Sequence, residues 1–199
     1  MSEPAERRIR PVLAADVERL AHDAGHGDPY ARLELAHATA AVVVEAGRGQ
    51  RGQPTEHLIR LVDEVGLDTL SELWRDAAAD SLPGALWALY LLQTWCWRQG
   101  EAVARAFRAG RGFAPVDEVV AGVLDDADPV AVQRLADSVL TGAYEGEFDV
   151  ALERAAAFFR VVATGREQLG EDTELAARNL DTAYALQRAA AGWRAGTLH

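Results

Sequence analysis

Residues 82–97 read LPGALWALYLLQTWCW, and this stretch constrains the chain more than any other. Only Gln93 and Thr94 in it are polar, and three of the five tryptophans, Trp87, Trp95 and Trp97, fall within it. A helix that is apolar on every face is a buried helix. The run holds about 16 residues, with Pro83 and Gly84 near its start. It is therefore short of the roughly 20 residues that a membrane span requires. The expectation is a buried central helix, at about 82–98, with Trp87 or Leu89 fully enclosed.

Around this run the apolar residues recur at helical spacing, and the breaks carry helix-capping chemistry. Leu13, Val17, Leu20 and Ala24 mark a first helix over about 14–24. Asp28 and Pro29 open a second that runs to about Ala46, since an N-cap carboxylate followed by proline is a helix start. Pro54 and Thr55 open a third, which carries Leu58, Leu61, Val62 and Val65, and Asp68 caps a short fourth with Leu70, Leu73 and Trp74. Ser81 and Pro83 start the apolar run, and Gly100 ends it.

Beyond it, a short helix over about 101–109 carries Val103, Ala106 and Phe107. Val116, Val119, Val120, Val123 and Leu124 follow at i, i+3, i+4, i+7 and i+8 and form a helical stripe. Asp128 and Pro129 repeat the cap-plus-proline device ahead of Val132, Leu135, Ala136, Val139 and Leu140. Phe148, Leu152, Ala155, Phe159 and Val162 mark a helix ended by Gly165, and a last helix spans about 173–194. No segment alternates with period two between turns. The chain therefore reads as all-α, with about ten helices in a single globular domain over 12–199, preceded by a flexible N-terminal arm over 1–11.

The net charge of −11 over 199 residues disfavours nonspecific binding to nucleic acid or to an anionic membrane. All 20 basic residues are arginine, which rules out a lysine Schiff base or a phosphate-loop lysine. One cysteine, Cys96, cannot form a disulfide within the chain and lies inside the apolar run as a packing residue. With no apolar segment near the start resembling a secretory signal, a cytoplasmic location is expected.

Several constellations carry the form of a site. Gly47, Gly49 and Gly52 spell G-x-G-x-x-G after three valines, but those valines continue a helical pattern and no further strands exist to build a dinucleotide-binding sheet. A flexible connector is the better reading. His22 and His26 stand four apart, and Glu34-x-x-His37 follows. A di-iron bundle needs a second Glu-x-x-His, which is missing, and a solvated helix end with one hydrogen-bonded His37 accounts for these residues. Asp125, Asp126 and Asp128 resemble a magnesium-binding aspartate cluster, yet they sit at a break where capping explains Asp128. No catalytic residue, metal site or cofactor is expected from these patterns.

At LPGALWALYLLQTW, ALERAAAFFRVVATG and AAGWRAG the chain resembles a family of small, acidic, all-helical actinobacterial proteins. The resemblance extends over most of the chain and transfers no functional residue. It is consistent with the all-α reading. Because no nucleophile, base and orienting group come together in sequence, the leading expectation is a non-enzymatic protein that acts by protein–protein interaction. The alternative is a small helical enzyme or ligand-binding protein, metal-dependent through the histidines or the Asp125–Asp128 cluster. The long C-terminal helix, with Ala183, Ala189, Ala190 and Ala191 as a surface for close approach and Trp193 at its end, suggests a homodimer.

Overall fold

The computed structural model describes residues 29–49, 67–124 and 126–198. Among them the chain is all-helical, with no strand. Eight helices are present: α1 (Pro29–Gly49), α2 (Leu67–Trp74), α3 (Leu82–Arg98), α4 (Gly100–Arg111), α5 (Pro115–Ala121), α6 (Pro129–Tyr144), α7 (Phe148–Gln168) and α8 (Thr173–Ala195). The two other helices expected from the sequence, over about 14–24 and 54–65, lie outside the described residues, as does the N-terminal arm. No helix among the described residues is long and apolar enough to cross a membrane.

The capping signals act as the sequence suggests. The Ser81 hydroxyl accepts from the Gly84 N–H at the start of α3, and Asp128 Oδ1 accepts from the Ala131 N–H at the start of α6. Each satisfies one of the donors that a helix start leaves open. Pro29 is the first residue of α1, as expected, with Asp28 outside the described residues. Asp68 falls within α2 instead of capping it.

Two helix ends differ from expectation. α1 continues past Ala46 to Gly49, so Gly47 and Gly49 belong to a helix. Gly165 does not end α7, which runs on to Gln168. The reason is packing. A Cβ on Gly165 would overlap the Ala106 carbonyl oxygen, and one on Gly110 would overlap the Val161 carbonyl oxygen. The two glycines are where the backbones of α4 and α7 meet without side chains between them.

The helix at the centre of the fold is α7, not α3. α7 packs against α3, α4, α5, α6 and α8, and its most extensive contacts are with α8 and α4. It buries Ala155, Ala156, Ala157, Phe158 and Phe159 in succession, and so is enclosed on every side through its middle. α3 is enclosed only in its first turn, from Leu82 to Leu86. Farther along, Leu89, Leu92 and Cys96 face inward while Leu91 and Trp97 are exposed. Leu89 is fully buried as expected, and Trp87 is half-buried. Bulky tryptophans set neighbouring helices apart, and the alanines of α7 let them close in.

α5 carries the valines of its stripe on the outside and ends at Ala121, before Val123 and Leu124. Val116, Val119 and Val120 on the helix and Val123 just after it point outward, together with Phe113. Its inner side is polar: Asp117 pairs with Arg160 at 2.6 Å, and only Ala121 is buried. Arginines from α4 and α7 then clasp the segment that follows. Arg154 donates to the Ala121 carbonyl, Arg111 to that of Leu124 and Arg108 to that of Ala127. Charged donors on otherwise unmatched carbonyls fix the segment in this orientation.

Candidate functional site

Between α3 and α8 lies a groove of about 1070 Å³. Gly84, Trp87, Ala88, Leu91 and Trp95 line one wall and repeat at helical spacing. Along the opposite wall Asp181, Tyr184, Ala185, Arg188 and Ala191 do the same, and Phe159 of α7 forms part of the floor. From Gly84 to Trp95 the helical rise gives a length of about 16 Å, hence a mean cross-section of roughly 65 Å². A helix with its side chains is about 10–12 Å across, on the order of 80–110 Å² in section. The groove therefore takes one face of a helix, or a slender apolar molecule, and leaves the rest in solvent.

The aromatic lining is held in place. Trp95 stacks on Phe159 with ring centroids 6.1 Å apart and planes 7° from parallel, and the Arg166 guanidinium lies 5.3 Å from the Trp95 ring. Trp87 stacks on Tyr90 at 5.8 Å. Such contacts stabilise ring positions beyond what area burial supplies.

At the rim the cations are already matched. Arg75 pairs with Glu72 at 2.7 Å, and Arg188 reaches Asp80 at 3.5 Å. Asp181 lines the groove with no ion pair among the described residues. Asn179 also lines it, and its Nδ2 is buried without a hydrogen-bond partner. A buried donor left open costs free energy unless an incoming acceptor meets it.

Of the described candidate ligands, Glu34, His37, Asp126 and Asp128, none lines this groove. Glu34 is exposed and His37 half-buried on α1, Asp126 is exposed, and Asp128 is spent as the α6 cap. His22, His26, Gly52 and Asp125 lie outside the described residues. Among the described residues no three His, Cys, Asp or Glu side chains are grouped to hold a metal ion. Burial, with the nearby Asp137 carboxylate adding to it, pushes the Cys96 thiol up to about 12. The thiol is thus neutral at physiological pH and not a nucleophile.

Of the four alanines expected to receive a partner helix, Ala183, Ala189 and Ala190 are buried within the chain while Ala191 is exposed and lines the groove, and Trp193 meets Phe148 edge-on at 4.9 Å. α8 is packed against α7 along this side. The groove itself was hidden in sequence, because Trp87, Leu91 and Trp95 sit in a run that is apolar on all faces. The one local sign was Asn179, a polar residue beside the apolar stripe of the last helix. No family model, no curated protein and no solved structure matches the chain.

Proposed function

We propose that the protein is a non-enzymatic, cytoplasmic binding module. In this reading the α3–α8 groove receives the apolar face of a basic amphipathic helix from another protein. The observation that carries this reading is the groove itself, two helical stripes of aromatic and small residues facing each other across an open slot. An amphipathic helix laid in such a slot anchors through residues at i, i+3, i+4 and i+7. Asp181, with no ion pair among the described residues, and the net charge of −11 favour a basic partner and speed its approach.

Tryptophan fluorescence titrated with a basic amphipathic model peptide tests this, because Trp87 and Trp95 report occupancy of the groove. Leu91→Arg, at a half-exposed position, is expected to lower affinity at least tenfold by removing an apolar contact and adding repulsion. Val119→Arg, on the opposite kind of apolar surface far along the chain, is expected to leave it unchanged. Equal affinity for the two variants rules the helix reading out.

The open Asn179 donor favours a second reading, a slender apolar ligand with a carbonyl or carboxylate oxygen. A small molecule that stays with the purified protein in native mass spectrometry and leaves on Asn179→Leu would select it.

A further inference from the structure

α5 is an amphipathic helix mounted with its apolar side out, and this surface is separate from the groove. Phe113, Val116, Val119, Val120 and Val123 are 67%, 76%, 68%, 41% and 61% exposed. A soluble helix ordinarily places such a stripe against the core. Here the inner side is fixed by the Arg160–Asp117 pair and by the arginines on the Ala121, Leu124 and Ala127 carbonyls. The helix cannot roll to bury its valines without breaking that set. The face is therefore rigid before anything docks on it, and docking costs little ordering.

We propose that this face is where a second copy of the chain docks, valines against valines across a two-fold axis. Two observations favour a second copy. The first is area. Residues of this size expose on the order of 150–200 Å² each when free, so the five amount to roughly 500 Å². A two-fold pairing hides about 1,000 Å², the least that a specific interface buries. A patch of this size on one molecule is at the upper end for a surface that serves no contact. The second observation is charge. Asp117 is matched by Arg160 on the inner side of α5, so this carboxylate leaves no unmatched charge beside the patch. The five exposed side chains are all uncharged, so two copies of this face bring no like charges of their own into contact.

Sedimentation of the full chain at micromolar concentration is expected to give a mass near twice 21.5 kDa. Raising the salt is expected to tighten the dimer, since it screens the overall like charge while leaving apolar contact intact. Val116→Ser with Val119→Ser is expected to raise the dissociation constant at least a hundredfold with an unchanged circular dichroism spectrum. Val123→Glu, placed after the helix ends, is expected to do the same without touching the helix. A full chain that stays monomeric, or a dimer that survives both variants, overturns the proposal.

Discussion

α3 and α7 are both long and both buried in part, yet they relate to the fold in opposite ways. α3 contains the most apolar stretch of the sequence, and α7 carries Glu153, Arg154, Arg160 and Arg166 among its apolar residues. It is nevertheless α7 that is enclosed all round through its middle, from Ala155 to Phe159, while Trp97 of α3 stands 56% exposed. Side-chain size explains the reversal. Ala151, Ala155, Ala156, Ala157, Ala163 and Gly165 give α7 a narrow profile that α4 and α8 approach closely. The tryptophans of α3 hold its neighbours off, and the space so left is the groove. Apolarity decides that a helix is buried somewhere, and bulk decides how many neighbours can reach it.

The sharpest way to break this contrast is at the glycine crossing. Gly165→Leu would drive a side chain into the backbone of α4, where no flexible group can yield. The expected loss is about 4 kcal/mol or more, beyond the ordinary range of overpacking, read as a urea midpoint collapse or as failure to fold. A midpoint close to that of the parent would mean that α7 has room to spare and is not the centre.

Next in size is a paired truncation of one aromatic from each helix. Phe158→Ala removes a fully buried ring that tilts against Phe107, and should cost about 3–5 kcal/mol. Trp97→Ala removes a larger but exposed side chain and one hydrogen bond, from its Nε1 to Asp137 Oδ1, and should cost about 1 kcal/mol or less. Equal costs would erase the distinction between the two helices.

The smallest effect concerns the inward side of α3. Cys96 keeps its proton in the folded chain up to about pH 12, whereas an unfolded thiol releases it near 9.0. Above pH 9 the unfolded state therefore binds fewer protons, and stability falls as pH rises through this window. Between pH 9 and 10 the loss is about 1 kcal/mol at most. A parallel series with Cys96→Ala should lack this part of the alkaline slope, and an identical slope in both would place the thiol in contact with solvent.

The helices were legible because 3.6-residue periodicity and cap chemistry are local. Ser81 and Asp128 behave as their sequence context indicates. What was not legible is which way a helix faces. Val116, Val119, Val120 and Val123 define a stripe, but periodicity does not say that arginines on α4 and α7 will claim the other side of α5. Gly165 read as a terminator because its role depends on a helix some fifty residues upstream. The groove depends on how α3 and α8 are set against each other, and no spacing within either helix encodes that.

One further feature sets how α1 is held. Thr39 is the buried polar side chain among the described residues. Its hydroxyl oxygen accepts from the Trp74 indole N–H at 3.1 Å and lies 2.9 Å from the Leu35 carbonyl of its own helix. A purely apolar contact between α1 and α2 would let one slide along the other with little change in energy. A slip by one turn, about 5.4 Å, would carry Thr39 out of reach and strand the indole donor in an apolar surround. Together with Arg32, which donates to the Glu72 carbonyl at 3.4 Å and pairs with Asp76 at 3.3 Å, this bond works as an index pin, which selects one longitudinal setting of α1 from several that the surrounding leucines and valines would accept.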